Sequence, residues 1–419
     1  MTASPPPPSP PRTATRTPGD AVYLDHAATT PVLPAVIQAV AEAMHEVGNP
    51  SSLHASGRAA RRRVEESRET IAAALGARPS EVIVTSGGTE ADNLAVTGIV
   101  AARQADDPAR RRVLLPAIEH HAVLETAEAL HTSGRAEIGW LEVDDYGRVH
   151  ADTLAATIAE DPASVAMVSV MWANNEVGTV NPIRELAEVA HARGIPLHSD
   201  AVQAFGALPV DFAASAADAL SVSAHKVGGP VGVGALLLRR EVTVVPIGHG
   251  GGQERGIRSG TLDMPALVGF AVAARLATER RPGETERLAG LRDQLIAGVQ
   301  RAVPDAVLSG DPGTCVMDGG PSRLPGNAHL RFPGCQGDAL LMLLDAAGIA
   351  CSTGSACTAG VARPSHVLIA MGVPERDAAG ALRFSLGHTS TAADVRALIE
   401  AVGPAVQRAR AAALAGARR

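Results

Sequence analysis

Lysine is almost missing from this chain: among 37 lysines and arginines there is one lysine, Lys226, and every other cation is arginine. A composition drawn so far toward arginine is expected to lose any lysine whose task is surface charge, because either cation serves there. The lysine that stays therefore does what a guanidinium cannot, which is to shed its proton and form a Schiff base with a carbonyl. A phosphate clamp is the rival chemistry, but His225 and not glycine precedes the lysine, so the Gly-x-x-x-x-Gly-Lys-Ser/Thr pattern is absent. A leftover surface lysine is the bland reading. The neighbours speak against it: Ser221-Val-Ser-Ala alternates small polar and apolar residues as a strand end does, and Gly228, Gly229 and Pro230 form a turn directly after.

Other absences narrow the class. No apolar stretch approaches the ~20 residues of a membrane span, and 165–173 is a buried strand by length. Four cysteines, Cys315, Cys335, Cys351 and Cys357, are too few and too unevenly spaced for a disulfide framework or a zinc site, which places the chain in a reducing compartment, the cytoplasm. Positive charge is not in excess: a net charge of −7 and a pI near 6.1 exclude a nucleic-acid surface built on bulk charge. The arginine runs at 61–63 and 110–112 are local, and the first reads as a solvated helix face. The Pro/Ser/Thr-rich residues 1–19 lack an apolar h-region and read as a disordered tail, not a signal peptide. No Gly-x-Gly-x-x-Gly follows a strand, which disfavours a nicotinamide enzyme. With 419 residues and 46% apolar content, the chain has enough material for two domains, or for one large domain with a satellite.

What is there alternates between strand and helix. Residues 34–47 carry helical spacing, which Gly48-Asn-Pro50 stops, and 55–75 reads as a long polar helix. Glu81-Val-Ile-Val-Thr85 is a strand running into Ser86-Gly-Gly-Thr-Glu-Ala-Asp-Asn-Leu94. A strand, two glycines, a Thr cap and an acidic first turn make an anion cradle, with free N–H groups and the positive dipole end facing a phosphate. Many strand-to-helix turns in α/β proteins look this way, so the cradle alone is not diagnostic. Further strands read at 112–116, 136–143, 164–172, 195–199, 220–223 and 234–239. Repeated βα units argue for an α/β fold with a mostly parallel sheet, and such sheets collect ligands at the carboxyl ends of their strands. Thr89, His120, Asn175, Asp200 with Gln203, and Lys226 each lie just past a different strand, and together they make a site. A phosphate cradle beside a Schiff-base lysine points to pyridoxal phosphate. The glycine-rich stretch 248–260 reads as a long functional loop before a helix starting near Leu262, and the helix-rich remainder as a second domain.

Several blocks carry a family resemblance: Tyr23-Leu-Asp-His-Ala-Ala-Thr-Thr-Pro31, Gly48-Asn-Pro-Ser-Ser52, Thr85-Ser-Gly-Gly-Thr-Glu90, Glu119-His-His-Ala-Val123, Asn174-Asn-Glu-Val-Gly178, His198-Ser-Asp-Ala-Val-Gln203, Ser223-Ala-His-Lys226, Arg258-Ser-Gly-Thr261, Ser352-Thr-Gly-Ser-Ala-Cys-Thr358 and Arg383-Phe-Ser-Leu-Gly387. From about Tyr23 to about Ala401 the chain resembles the pyridoxal-phosphate cysteine desulfurases of the NifS/IscS type. Single blocks are shared with other fold-type I enzymes, whereas the ordered set, above all the Ser-Thr-Gly-Ser-Ala-Cys block, is specific. Ala224 stands where many members have glycine.

The resemblance implies a fold-type I pyridoxal-phosphate transferase. Its large cofactor domain, with a mostly parallel seven-stranded sheet, would span 35–270, and a smaller α+β domain would comprise 20–34 and 271–419. It implies that Lys226 holds the cofactor and moves the substrate Cα proton, which requires a lowered pKa. Asp200 would pair with the pyridinium nitrogen and Gln203 with the ring hydroxyl. His120 would stack on the ring and relay protons, against the plainer reading of a core histidine. Gly88, Thr89, Ser223 and His225 would bind the phosphate, with Thr261 reaching the other subunit's phosphate in a homodimer. Asn175, also in contact with the cofactor, and Arg383 would hold the carboxylate of L-cysteine, the arginine by a forked contact. A structural ion pair is the alternative for Arg383.

Cys357 decides the reaction. In Gly354-Ser-Ala-Cys-Thr-Ala-Gly360 a thiol has no core to fill, and a mobile exposed cysteine suits a nucleophile. The resemblance makes its thiolate attack the substrate sulfur, releasing alanine and leaving a persulfide for an acceptor protein such as an iron-sulfur scaffold or a thiolation enzyme. The length of this cysteine loop favours the IscS-like branch. No resident metal is expected, although Cys357 is a transient ligand for a partner's iron-sulfur cluster. Cys351 is either a plain buried cysteine or a resolving thiol for Cys357. The alternatives are a selenocysteine lyase or another fold-type I enzyme, neither of which requires Cys357, and a scaffold that keeps the cofactor as a structural ligand.

Overall fold

The computed structural model describes residues 21–317, 320–354 and 364–416. The tail expected at 1–19 and Cys357 lie outside them.

Short runs of branched apolar residues build a seven-stranded sheet. In spatial order its strands are Val82–Thr85, Gly234–Leu238, Ala219–Ser223, Leu197–Asp200, Val165–Ser169, Arg112–Pro116 and Glu137–Leu141. All neighbours are parallel except Gly234–Leu238, which runs antiparallel to both of its own. Side chains alternate across a strand, so one sheet needs two cores. Val82, Leu114, Val168 and Leu220 join Ile71, Leu186 and Phe270 on one face, while Ile83, Val113, Met167 and Ala219 join Leu94, Ile99 and Leu130 on the other. Burial on both faces is why these strands read as continuous apolar runs and not as alternating ones. With both faces covered, the carboxyl ends of the parallel strands are the open side.

The lysine strand Ala219–Ser223 returns as Gly234–Leu238 through the connection 224–233, which opens on the short turn Ala224–Lys226. Gly228 takes φ +82° there, and a Cβ on it would come within 2.7 Å of Leu33 Cγ, so both backbone and space require glycine.

A second apolar cluster gathers Leu295, Leu330, Phe332, Leu340, Phe384 and Leu398. It surrounds a three-stranded antiparallel sheet in the order Ala381–Ser385, Asn327–Arg331, Val307–Leu308. Val22 and Leu24 belong to this cluster, and Val22–Tyr23 pairs in parallel with Ile349–Ala350. One helix, Met264–Ala302, joins the two clusters: Leu267 and Phe270 pack in the first, Leu295 and Val299 in the second. It runs through Pro282, a residue that ordinarily ends a helix, and residue 271 lies well inside it.

His329, at the centre of the three-stranded sheet, is fully buried, and neither ring nitrogen has a hydrogen-bond partner among the described residues. Burial, reinforced by the Arg323, Arg383 and Arg331 cations, drives its pKa down to about 3 from an ordinary 6.5. As pH falls below 6.5 the unfolded chain takes up this proton and the native one does not, so stability is lost on acidification. The loss is about 1.4 kcal/mol per pH unit once well below 6.5. His329→Leu removes this contribution. Urea unfolding at pH 6.5 and pH 5 is expected to show the variant losing roughly 1–2 kcal/mol less than the wild type. Equal losses would mean that the imidazole is protonated inside the fold.

Candidate active site

The carboxyl ends of the parallel strands open into a cavity of about 400 Å³. Its wall contains Gly88, Thr89, His120, Asn175, Asp200, Gln203, Ser223, His225, Lys226 and Arg383, so ten residues singled out from the sequence meet in one place. Thr261 is not part of this wall: it is exposed on the glycine-rich loop.

Lys226 ends the short turn Ala224–Lys226 that follows its strand, and its Nζ donates to the carbonyls of Ala27 at 2.6 Å and Ala28 at 2.8 Å. Burial lowers its pKa to about 8, helped by the Arg383 cation and opposed by Asp200 and Asp25. An amine so tuned supplies the neutral form that attacks a carbonyl near neutral pH. Gln203 Nε2 shares the Ala27 carbonyl at 2.9 Å.

Asp200 closes the strand Leu197–Asp200 and accepts the Val202 N–H at 2.8 Å. Burial raises its pKa, while His120, the Val202 N–H and Lys226 draw it back. His120 caps the helix His121–Thr132: its Nδ1 accepts the Ala122 N–H at 3.1 Å, which leaves the neutral ring's proton on Nε2. Burial lowers this imidazole's pKa, with Asp200 opposing. His225, held to Thr29 Oγ1 at 3.2 Å, is pushed down to about 4, chiefly by burial and then by Lys226.

The anion cradle is present. Gly87, at φ +148°, precedes the helix Gly88–Asp106, and a Cβ on Gly88 would lie 2.8 Å from Val202 Cγ2. Glu90 of the first turn accepts from the Ser86 N–H and pairs with Arg258 of the glycine-rich loop at 2.9 Å. Arg383 occupies the strand Ala381–Ser385, where Nη1 donates to the Asn175 carbonyl at 3.0 Å and Nη2 to Asp25 at 2.9 Å. Both sequence readings of this arginine therefore have a physical basis, an ion pair and a place on the cavity wall. Its Nε and Asn175 Oδ1 are buried without a partner among the described residues. The unpartnered Arg383 Nε–H is a donor that a bound carboxylate satisfies, whereas Asn175 Oδ1, an acceptor, calls for a ligand N–H or O–H.

The segment carrying Cys357 leaves the described chain at Gly354, on the cavity wall, and returns before Ser365. Both stems meet Glu176: Ser365 Oγ donates to its carboxylate, and a Cβ on Gly354 would lie 3.2 Å from Oε2. Cys351 is buried, and its thiol is pushed up to about 12, mainly by burial. That environment supports the plain buried reading, since the thiol and not the thiolate persists there.

Sequence reasoning assigned no role to Asp25, Ala27, Ala28 or Glu176. Backbone carbonyls carry no sequence signature, but Asp25 and Glu176 each sit inside a motif block, which was the available signal.

Pyridoxal phosphate has an aldehyde, a basic ring nitrogen, a ring hydroxyl and a phosphate. An amine of lowered pKa, a buried carboxylate, an amide and a helix N-terminus with a crowded glycine complement these four groups, so the residues present fit the cofactor. The sheet and cavity together place the chain among the fold-type I pyridoxal-phosphate enzymes. The aminotransferase class-V family matches residues 22–398. An IscS-like cysteine desulfurase of Mycobacterium tuberculosis is 58% identical over 94% of this chain and 98% of its own length. Among solved structures, a NifS-like protein superposes with TM-score 0.83 at 33% identity, covering 93% of this chain and 100% of its own. SspA, solved in complex with cysteine, superposes with TM-score 0.73 at 33% identity, over 87% and 98%. The chain belongs to the aminotransferase class-V family and, within it, to the NifS/IscS-like cysteine desulfurases.

Proposed function

We propose that this chain converts L-cysteine to L-alanine and retains the sulfur as a persulfide on Cys357. The observation that carries the reading is the meeting, on one cavity wall, of an amine with pKa near 8 and the orphaned polar atoms of Asn175 and Arg383. Bound pyridoxal phosphate supplies an electron sink conjugated to the substrate's Cα. Asp200 would hold the ring nitrogen, Gln203 the ring hydroxyl, and His120, whose neutral ring carries its proton on Nε2, would stack on the ring. Gly88, Thr89, Ser223 and His225 hold the phosphate, and Thr261 reaches that of a second copy. Arg383 and Asn175 grip the substrate carboxylate, which orients the Cα–H toward Lys226 Nζ, the base that takes the proton. The Cys357 thiolate attacks the substrate sulfur. A sulfur–sulfur bond forms as the carbon–sulfur bond breaks, the released electron pair stays on the substrate Cβ, and protonation of Cβ together with return of the proton from Lys226 to Cα completes alanine.

A homodimer fits this reading. Ile37, Met44, Val47 and Leu53 are 59–87% exposed within one short stretch, an apolar surface that a second copy would cover. A division into a cofactor domain, 35–270, and a smaller domain, 20–34 with 271–419, is supported by the two separate apolar clusters, with the helix Met264–Ala302 bridging them. Among the described residues no helix is long and apolar enough to cross a membrane. We place the protein in the cytoplasm, passing sulfur to an iron-sulfur scaffold or a thiolation enzyme, with Cys357 a transient ligand to a partner's cluster.

Mass analysis after incubation with L-cysteine is expected to find one added sulfur on the Cys357 peptide, and Cys357→Ala is expected to stop alanine release. Alanine release that survives this substitution would favour a selenocysteine lyase or another fold-type I activity.

A further inference from the structure

Around Asp200 lies a buried polar cluster to which the reaction above gives no role, and one member, Asp92, shares the cavity wall. Asp92, one turn into the helix Gly88–Asp106, shares the core-facing stripe of Ala95, Val96 and Ile99 and is 1% exposed. Its Oδ1 has no hydrogen-bond partner among the described residues and lies 3.6 Å from His198 Nε2. That histidine supplies no cation. It is fully buried, bonded to the Ser169 hydroxyl at 2.9 Å and the Ser221 hydroxyl at 3.0 Å, and burial holds it neutral with a pKa of about 3. Glu119 adds a third carboxyl: Oε1 accepts the Met171 N–H at 2.5 Å, and the buried Oε2 has no partner among the described residues.

Asp92 and Asp200 are close enough to compete: one side-chain oxygen from each, and one ring nitrogen of His120, lie within 4.8 Å of one another. Like charges at this separation in a dry site do not ionise together, and the proton stays with the group that has least help in losing it. The help is uneven. Asp200 has the Val202 N–H, His120 and Lys226 to stabilise its anion. Asp92 has a hydrogen bond from Ser221 and otherwise faces Asp200 and Glu119, so burial and like charge raise it well above the carboxylate range. Glu119 has the Met171 N–H against burial and Asp200 and is raised in the same way.

We propose that Asp92, Glu119 and Asp200 carry one negative charge among them, and that Asp92, kept as a neutral acid, is a positioning residue that confines this charge to Asp200. The inference deepens the reading of Asp200 as the partner of the cofactor's ring nitrogen and rests on it. A second anion beside Asp200 would raise its proton affinity, and a protonated Asp200 cannot hold a cationic nitrogen.

The test uses the holoenzyme. Infrared spectra near pH 7.5 are expected to contain the carbonyl stretch of a protonated carboxylic acid, one component of which shifts when aspartate is labelled with carboxyl-13C. That component disappears in Asp92→Asn, and a separate one disappears in Glu119→Gln. Asp92→Asn, which keeps shape and neutrality, is expected to leave cofactor retention within about twofold of wild type, whereas Asp200→Asn loosens it roughly tenfold to a hundredfold. An acid band no component of which shifts in the 13C-aspartate protein, or cofactor loss in Asp92→Asn as large as in Asp200→Asn, would overturn the proposal. Unchanged retention in Asp200→Asn would sink the ring-nitrogen reading instead, and the infrared assignment would still decide where the proton sits.

Discussion

Lys226→Arg is expected to give a folded, colourless protein that releases no alanine from cysteine. The substitution keeps a long stem and a positive charge, and the guanidinium still finds the carbonyls of Ala27 and Ala28 as acceptors. What it removes is the neutral nitrogen, because arginine does not deprotonate. Covalent capture of the cofactor and the Cα proton transfer are both lost, so the fall in rate should be roughly a thousandfold or more. In the wild type, borohydride is expected to fix the cofactor on the peptide containing Lys226, and the lack of any other lysine makes that assignment clean. Cofactor capture also has a predictable pH dependence. The amine is free above its own pKa, so the capture rate climbs as pH rises through about 8 and then levels. A yellow chromophore surviving in Lys226→Arg, or a capture rate flat from pH 6 to 9, would break the case for this amine.

The alternation of strand and helix was legible because fully buried parallel strands are short, branched and apolar, as in Val82–Thr85 and Val165–Ser169. The residues just beyond them were legible for the same reason: polar groups at strand ends stand out against apolar runs. Strand direction was harder to read. Gly234–Leu238 looks like its parallel neighbours, and the sign of its reversal was the distance back to Ser223, too short for a crossover helix. The unbroken helix Met264–Ala302 escaped because Pro282 reads locally as a stop, while packing against two apolar clusters overrides it. Within the site, the acceptors for Lys226 come from a segment 199 residues earlier, and they are main-chain atoms that any residue possesses. Asp92 did leave a trace, since it is a charged residue on the apolar stripe of its helix. Thr261 could be placed near a phosphate by family resemblance but not by one chain's geometry.

Arg383 separates two readings that the sequence left open, and its substitution carries the second large effect. Were it a structural ion pair alone, its value would lie in the 2.9 Å contact with Asp25, and its loss would register in stability. Its place on the cavity wall and its unpartnered Nε argue for substrate. Arg383→Lys keeps the charge but loses the fork, so KM for L-cysteine is expected to rise roughly tenfold to a hundredfold with a smaller change in kcat. Arg383→Ala also removes the cation that depresses Lys226, so the pKa of the amine climbs above about 8 and the pH profile of cofactor capture moves to higher pH. The lysine variant retains that cation and is expected to hold the wild-type profile. The pair of substitutions thus distinguishes a carboxylate fork, lost in both, from an electrostatic setting of the amine, lost in one. A lowered melting temperature with KM and capture profile both unchanged would return Arg383 to the role of a buried partner for Asp25.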